Sequence, residues 1–459
     1  MTLCAIVTDY SGNALHCVSI EDLSNPTLLG SISGTGEEPY LGSPYGIHMD
    51  DYYAYVGASG DHSLTVINCK DATNPTFCGN IAGSLDTPPV WSPRFSQLVG
   101  DYAYVPCFSN SGGLSIIDIS DPTSPSYLGN IAGCSDPANH LCSATAVDVV
   151  GDVAHVCANG GSENTSFLTM VDISDSENPS LLGYIGNNTG SPYYDDNWIH
   201  GPHDVKVKDG YAFVTSYYDD SLTVIDVSDP TAPVYVAHIT TGLSRPWAIE
   251  ISGNYAFVTS VYNDRLVAFD ISDPTSPSYT GYRTTQYQCY GLKVYGDSAL
   301  AANYENSSLD IYDISDPTSI TLTSRLELTG YPMDVDVAEC PGLDEDTGFE
   351  ILIDSSLSED KKAAILRSIT QVLNRYDCEI SYNATYDAGS SSTNQVSINV
   401  GGASEDYGIR VYFDASVRTD YPSILSDLIE VVRRHSLTLN ANSSFTVGDR
   451  VYNAEILLN

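Results

Sequence analysis

Two stretches of the chain concentrate the aromatic, histidine and acidic residues that ligand binding needs. They are SPYYDDNWIHGPH at 191–203 and TSYYDDS at 215–221. Tyrosine and tryptophan offer flat amphipathic faces for sugar rings or peptides, and aspartate offers hydrogen-bond acceptors. The same residues also fit a long loop that packs its own aromatic side chains. The candidate ligand-binding residues are Tyr193, Tyr194, Asp195, Asp196, Trp198, His203, Tyr217 and Tyr218, together with Arg94 and Trp247.

A metal site is the alternative reading of the histidines. His200 and His203, with His62 and His140 expected on the same face, could bind a transition metal together with nearby carboxylates. No spacing among them is diagnostic, and a chance cluster is favoured. The sequence therefore predicts no cofactor and leaves a divalent cation as the alternative.

An internal repeat supplies the elements that must position these residues. Each copy holds an alternating strand, a YAYV-like strand, an LTVID-like strand, a turn of the DISDPTSP type and a short strand ending in Gly. Four short antiparallel strands per repeat of this length are typical of a propeller blade, and the Asp-Pro turn belongs to its frame. The LTVID-like segments begin at Leu15, Leu64, Leu114, Leu168, Leu222, Leu266 and Leu309.

The two ends of the repeat region complete one another. The first copy lacks its innermost strand, whereas MDVDV at 333–337 is an innermost strand with no blade after it. This predicts a seven-bladed β-propeller in which the C-terminal strand closes blade one. Aligning Met333 with Arg94 brings Cys4 and Cys340 together and predicts a disulfide there. Cys134 with Cys142 and Cys69 with Cys78 are weaker pairs.

The middle residues of the innermost strands carry alternating charges along much of the channel wall. Such residues form either a charged active-site well or a belt of ion pairs between blades, and the alternation favours the belt. Lys206, Glu250, Lys293 and Asp336 are accordingly assigned a structural role. In order from blade two round to blade one, the middle residues are His48, Gln97, Asp148, Lys206, Glu250, Lys293 and Asp336.

The repeat resembles a known family. LTVID, LSIID, LTMVD and LVAFD, each after a YAYV-like strand and before a DISDPTSP-like turn, resemble the LVIVD repeat family of β-propellers. The resemblance covers residues 1 to about 340 and implies a surface or secreted protein, with no reaction that transfers to named residues. Blades one and two lack the Asp that closes the motif, and blade seven has Ile320 where others have the second Pro.

The pattern changes after residue 344. Strand-like and amphipathic helical segments alternate over 345–459, which predicts a small α+β domain with helices at 358–376 and 421–435. We find no catalytic motif in it. The predicted domains are therefore a propeller at 1–340 and an α+β domain at 345–459.

Composition restricts the partners and the compartment. The net charge of -41 repels phosphate backbones and anionic lipids, so nucleic acid is excluded as a partner, and no apolar run is long enough for membrane insertion. Eleven cysteines and five Asn-x-Ser/Thr sequons favour an extracellular or cell-surface location, although the first residues do not form a secretory signal. Either a leader has been removed, or the protein stays inside the cell with mostly reduced thiols.

These observations favour a non-catalytic recognition or adhesion protein over an enzyme. It would bind carbohydrate or protein through the loop face of the propeller, and the C-terminal domain would serve attachment or oligomer assembly. No Ser-His-Asp order, nucleophile elbow, phosphate loop or CxxC motif occurs. The alternative is a metal-assisted hydrolase or oxidoreductase that uses His200, His203 and nearby acids at the channel mouth.

Overall fold

The computed structural model divides the chain into two units, Met1–Gly342 and Leu343–Asn459. We describe each unit by itself. Within the second unit, the description covers the strands between residues 348 and 453. In the first unit, it covers 2–83, 90–109, 113–133, 140–160, 166–186 and 198–341.

The described residues of the first unit form seven four-stranded antiparallel sheets, which are the blades of a propeller. From blade one to blade seven, the innermost strands are β28 (Pro332–Cys340), β4 (Pro44–Asp50), β8 (Gln97–Val99), β12 (Ala144–Val150), β16 (Pro202–Lys208), β20 (Pro246–Ser252) and β24 (Cys289–Tyr295). The second strands are β1 (Thr2–Asp9), β5 (Tyr53–Ala58), β9 (Tyr102–Pro106), β13 (Val153–Ala158), β17 (Tyr211–Ser216), β21 (Tyr255–Ser260) and β25 (Ser298–Asn303).

The outer half of each blade repeats with the same regularity. The third strands are β2 (Ala14–Ser19), β6 (Ser63–Asn68), β10 (Gly113–Asp118), β14 (Phe167–Asp172), β18 (Ser221–Asp226), β22 (Arg265–Asp270) and β26 (Ser308–Asp313). The outermost strands are β3 (Thr27–Ser33), β7 (Thr76–Ala82), β11 (Ser126–Ala132), β15 (Ser180–Gly186), β19 (Val234–Ile239), β23 (Ser278–Thr284) and β27 (Thr321–Glu327).

The ring closes by pairing the end of the propeller sequence with its beginning. Strand β28 pairs antiparallel with β1, and Cys4 lies opposite Ala338 just as Tyr102 lies opposite Val99 in blade three. The predicted seven-bladed propeller, with its C-terminal strand in blade one, is thus confirmed. Closure leaves no unpaired sheet edge at the seam.

The core lies between blades because each strand presents apolar side chains to the blades on either side. Seven buried clusters occur among the described residues, and each joins two neighbouring blades. One large side chain per second strand recurs at the same buried position in blades two to six. These side chains are Tyr55, Tyr104, His155, Phe213 and Phe257.

The DISDPTSP-type turns close the hairpins between the third and outermost strands. In blade three, Asp121 Oδ1 accepts hydrogen bonds from the Thr123 N–H at 2.9 Å and the Thr123 hydroxyl at 2.7 Å. The same pair of bonds joins Asp229 to Thr231 in blade five. An Asp side chain that replaces a backbone partner in this way stabilises a tight turn. These acids therefore belong to the frame.

The second unit contains a five-stranded sheet and a hairpin among its described strands. The sheet order is β30-β31-β32-β29-β33, with one parallel pair, β30 and β31. The strands are β29 (Gly348–Asp354), β30 (Glu379–Tyr382), β31 (Gln395–Val400), β32 (Asp406–Phe413), β33 (Thr438–Asn440), β34 (Ser444–Val447) and β35 (Arg450–Asn453). The predicted helices at 358–376 and 421–435 fall outside the described residues.

No helix in the described part of the chain combines the length and the apolar character needed to cross a bilayer.

Candidate functional site

The beginnings of the innermost strands surround one end of the channel, which we call the mouth. The same repeat position falls just before or just inside each of these strands and supplies one side chain per blade. From blade two to blade one, the residues at this position are Tyr45, Arg94, Thr145, His203, Trp247, Tyr290 and Met333. The loops that follow the second strands add a further set of aromatic rings, namely Tyr10, Phe108, Tyr217 and Tyr304.

Trp247 is the centre of the aromatic contacts on blades five to seven. Its ring stacks on His203, with centroids 3.7 Å apart and planes inclined by 28°. Tyr290 meets it edge-on at 4.6 Å, and Tyr217 does so at 5.8 Å. Edge-to-face and offset stacked rings at such distances attract each other beyond their burial alone. Three blades thus combine to hold one tryptophan at the mouth.

The aromatic arc continues across the seam of the ring. Tyr304 lies 5.2 Å from Tyr290 and 6.3 Å from Tyr10, and Tyr10 lies 6.4 Å from Tyr45. The Arg94 guanidinium carbon lies 3.8 Å from the Tyr45 ring centre, which is cation–π geometry. We define the mouth cluster as Tyr10, Tyr45, Arg94, His203, Tyr217, Trp247, Tyr290 and Tyr304.

Arg94 lies where the backbones of blades two and three approach each other closely. A Cβ added at Gly46 would lie 2.7 Å from the Arg94 carbonyl oxygen, and one added at Gly57 would lie 2.9 Å from the same atom. Glycine lets backbones approach where any side chain would collide. The Arg94 side chain also packs on Phe108, with its guanidinium carbon 4.3 Å from that ring centre.

A second arginine lies at the rim of the mouth. The Arg245 guanidinium carbon lies 4.6 Å from the ring centre of Tyr217, 5.2 Å from that of Tyr218 and 4.7 Å from that of Tyr262. Tyr218 is 51% exposed and Tyr262 60% exposed, so these rings offer surface to a ligand. The Arg245 backbone N–H donates to Asp220 Oδ1 at 2.7 Å, which fixes the start of β20.

Two buried donors of the mouth cluster find no hydrogen-bond partner in the described part of the protein. They are the indole Nε1–H of Trp247 and the Nε–H of Arg94. A buried polar group without a partner destabilises a protein by about 1–3 kcal/mol. An acceptor-bearing ligand would relieve this cost, because both groups are donors only.

Burial shifts the pKa values of His203 and Tyr290 in the directions that keep both groups neutral at physiological pH. Burial, reinforced by the nearby Arg94 charge, lowers the pKa of His203 to about 3, so its imidazole is uncharged. Burial raises the pKa of Tyr290 to about 12. The charge of the mouth cluster is therefore that of Arg94, with Arg245 beside it and the exposed Glu305 near Tyr290 and Tyr304.

Five of the sequence-predicted ligand-binding residues meet at this end of the channel. They are Arg94, His203, Tyr217, Tyr218 and Trp247. Tyr193, Tyr194, Asp195 and Asp196 lie outside the described residues.

Trp198 contacts an outermost strand and has no ring contact with the mouth cluster among the described residues. Its ring stacks on His238 of the outermost strand β19, at 3.6 Å and 13°. Its carbonyl oxygen accepts hydrogen bonds from the hydroxyls of Ser216 and Thr223. The carbonyl of Tyr40 accepts a similar bond from Thr65 at 2.8 Å in blade two. Trp198 therefore occupies a position of the blade frame.

The four histidines considered for a metal lie against separate aromatic partners. His62 stacks on Trp91 at 3.8 Å, and His140 lies 3.6 Å from Tyr184. His200 lies 4.8 Å from Tyr218, while His203 stacks on Trp247. Among the described residues, no group of three or more His, Cys, Asp or Glu side chains could hold a metal ion. The arrangement gives the metal-assisted alternative no support there.

The charged wall lies deeper in the channel and connects neighbouring blades. Lys206 Nζ lies 3.1 Å from Glu250 Oε1, and Lys293 Nζ lies 2.7 Å from Asp336 Oδ1. Asp336 also accepts the Met49 N–H at 2.8 Å, which links blade one to blade two. A cavity of about 320 Å³ opens beside the wall, toward the far ends of the innermost strands. It is lined by Asp148, Lys206, Val207, Lys208, Glu250, Ile251 and Gly253.

Sequence reasoning missed part of the mouth. Tyr45 and Tyr290 share the repeat position of Arg94, His203 and Trp247. Their signal was thus present in the seven-fold alignment. The other residues that it missed are Tyr10, Tyr304, Arg245 and Tyr262, which lie in or beside the loops that connect strands.

Comparison with known proteins places the chain among repeat propellers. The LVIVD repeat profile matches residues 97–132, 202–241, 246–285 and 289–327, which are blades three, five, six and seven. Blade seven matches despite Ile320. No curated protein sequence matches the chain.

Several solved structures share the fold. A Lactobacillus plantarum protein is 11% identical with a TM-score of 0.60, and the match covers 74% of this chain and all of that one. The periplasmic gluconolactonase PpgL of Pseudomonas aeruginosa is 14% identical with a TM-score of 0.58, over 74% and 100% of the two chains. Apo AztD of Citrobacter koseri is 11% identical with a TM-score of 0.51, over 73% and 98%. Identities this low show the fold alone.

Proposed function

This chain is an LVIVD-repeat β-propeller over residues ~97–340, and from this premise we propose that it is a recognition protein that binds a carbohydrate at the channel mouth without catalysing a reaction. The observation that carries the proposal is the mouth cluster. Its stacked rings offer the amphipathic faces that sugars pack against. Its two buried donors, which have no partner among the described residues, would bond to acceptor oxygens of the sugar.

The charge of the mouth indicates the kind of sugar. Arg94 and Arg245 are two of only five arginines in residues 1–340, and both lie at this end of the channel. Guanidinium groups bind carboxylates through charge-assisted hydrogen bonds. The ligand is therefore a carbohydrate that contains a uronic acid or a similar carboxylate-bearing ring.

Calorimetric titration of the full chain with uronic-acid oligosaccharides and matched neutral oligosaccharides tests this function. We expect the acidic series to bind and its affinity to fall as salt rises, because the attraction is partly ionic. Trp247→Ala should weaken binding about ten-fold or more, since it removes the central ring and an unpaired donor. Arg94→Gln should reduce the preference for the acidic series.

Trp91→Ala is the matched control. Trp91 also stacks on a histidine, His62, but no ring contact joins that pair to the mouth cluster among the described residues. This variant should bind as the parent does. Binding that survives Trp247→Ala, or a panel in which no oligosaccharide binds, would overturn the proposal. A peptide that competes for Trp247 would replace carbohydrate by protein as the ligand class.

The compartment and the second unit belong to the same proposal. We place the protein outside the cell or on its surface, with the second unit as an α+β domain for attachment or oligomer assembly. Support comes from the sequons, of which Asn306 lies in a loop of blade seven, and from Cys142, which is disulfide-bonded. Surface labelling of intact cells and light scattering of the full chain measure location and assembly.

A further inference from the structure

Four cysteines converge on one interface between blades. Cys4 lies on β1, Cys17 on β2, Cys340 at the end of β28, and Cys69 directly after β6. Each is at most 1% exposed, and all four belong to the buried cluster between blades one and two. Three of them come from blade one and one from blade two.

Strand register explains why the three cysteines of blade one share a face. Cys17 lies opposite Ile6, two residues after Cys4, and Cys340 lies opposite Thr2, two residues before Cys4. Side chains two apart along a strand point to the same side of a sheet. The three thiols therefore all point toward blade two, where Cys69 meets them.

The thiols lie in two neighbouring pairs, and the structure holds all four as free thiols. The Cys340 thiol is the main cause that raises the pKa of Cys4, and the Cys17 thiol is the main cause that raises the pKa of Cys69. The first pair spans the junction between β1 and β28, and the second spans the interface between blades one and two. Cys69 thus faces Cys17, and Cys78, the neighbour considered from sequence, lies beside the next interface.

We propose that Cys17 and Cys69 form a disulfide that ties blade one to blade two, and that Cys4 and Cys340 form a second one across the seam. Each bridge forms when two thiols lose two protons and two electrons to a disulfide oxidant, whose S–S bond is thereby reduced to two thiols. Oxidised glutathione is sufficient in vitro, and a thiol–disulfide oxidoreductase would act during export.

The two bridges would stabilise the place where the propeller ring closes. Blade one is the only blade assembled from both ends of the propeller sequence, so its junction with β28 has no covalent turn. A Cys4–Cys340 bridge supplies that connection, and a Cys17–Cys69 bridge secures the composite blade to its neighbour. Both span long segments of chain, for which the chain-entropy argument gives large stabilisation.

Two other cysteines of the propeller lack this arrangement. Cys157 and Cys289 are buried in two different interfaces, and neither shares its buried cluster with a second cysteine among the described residues. A double pair of thiols distinguishes the interface between blades one and two from those two interfaces.

The bridges must form before blade one docks. Thiol contact and burial raise the pKa of Cys4 and of Cys69, so the reactive thiolate is scarce once the interface has closed. Oxidation of the folded, reduced protein should thus be much slower than oxidation during refolding.

Peptide mapping without reduction tests the pairing. The full chain is unfolded, reduced, and refolded with oxidised and reduced glutathione, then alkylated and digested. We expect linked peptides for Cys17–Cys69 and Cys4–Cys340. Free thiols at these positions, a Cys4–Cys17 link, or stoichiometric zinc bound by the four thiols would each overturn the proposal.

Two variants sharpen the outcome. Cys17→Ala should leave Cys69 alkylated while the Cys4–Cys340 peptide persists, and it should remove part of the gain in Tm that oxidation gives. Cys157→Ala, a matched change in another interface, should leave both links intact. If Cys17→Ala does not fold, the mapping of the parent chain still decides the pairing.

Discussion

At the scale of single residues, His155 shows how one repeat position can couple the fold to pH. It fills the buried position that aromatic rings occupy in four other blades, and its Nδ1 lies 3.2 Å from the Asp148 carbonyl oxygen. Burial lowers the pKa of His155 to about 4. The folded protein therefore keeps this imidazole neutral where an unfolded chain would protonate it.

The first prediction concerns acid sensitivity. Because the folded pKa of His155 is below the unfolded value of about 6.5, its neutral state supports the fold above pH 6.5, and that support is lost as pH falls toward 4. The loss would reach up to about 3 kcal/mol. His155→Phe, the residue of blades five and six, should flatten this dependence. Denaturant unfolding of both proteins between pH 7.5 and 4.5 measures it.

Comparison of the two proteins at each pH is needed because another group opposes the trend. Burial raises the pKa of Asp204 to about 6, so this carboxylate is protonated at a higher pH in the folded state than in the unfolded state. Its protonation therefore adds stability as pH falls from 6. This contribution is common to the parent and the variant and cancels in the difference. Equal slopes for the two proteins would contradict the role of His155.

At the scale of elements, the distance between the backbones of adjacent blades sets the positions of mouth residues. Strand β4 has Gly46 at a position where the two adjacent blades have larger residues. This glycine lets the backbone at Arg94 approach β4 closely. The geometry of the site thus depends on a residue that does not line it.

The second prediction follows from this approach. Gly46→Ala places a methyl group 2.7 Å from the Arg94 carbonyl oxygen, so the backbone at Arg94 must shift. Binding of an acidic oligosaccharide should weaken about ten-fold, since a displaced guanidinium loses charge-assisted hydrogen bonds. Gly253→Ala is a spatial control with open surroundings, although its positive φ adds local strain. Unchanged affinity in a folded Gly46→Ala protein would contradict the positioning role.

At the scale of the whole molecule, seven blades form a ring that neighbouring strands hold together around the channel. Ion pairs and carboxylate-to-backbone hydrogen bonds cross from blade to blade, such as Asp148 Oδ2 with the Val207 N–H at 2.6 Å. Lys206 compensates for Glu250, Asp204 and Asp148, and these acids raise its pKa against the effect of burial. Each lysine therefore offsets the cost of burying acids around it.

The third prediction is that the charged wall stabilises the ring without serving the mouth. Lys206→Met with Lys293→Met should lower the free energy of unfolding by about 1–3 kcal/mol, less than for fully buried pairs because both lysines are partly exposed. Ligand affinity at the mouth should not change. Lys208→Met, whose partner Asp209 is 79% exposed, should have little effect. A stable double variant that no longer binds would assign the wall to the site.

The repeat itself determined the number of blades, the strand that closes blade one, and the register in which β1 pairs with that strand at Cys4. It could do so because hydrogen-bonded strands and Asp-Pro turns are local patterns that recur along the chain. It also pointed to Arg94, His203, Tyr217, Tyr218 and Trp247 as ligand-binding candidates. Only the tertiary structure decided that Trp198 turns to His238, that Tyr10 and Tyr304 join the mouth, and that Cys69 meets Cys17. The contacts of Tyr10 with Tyr304 and of Cys69 with Cys17 join different blades, so they depend on the curvature of the closed ring, and no local pattern encodes which side chains that curvature brings together. The contact of Trp198 with His238 joins the loop before β16 to the outermost strand of the same blade, and the repeat pattern does not encode it because this loop is not shared by the other blades.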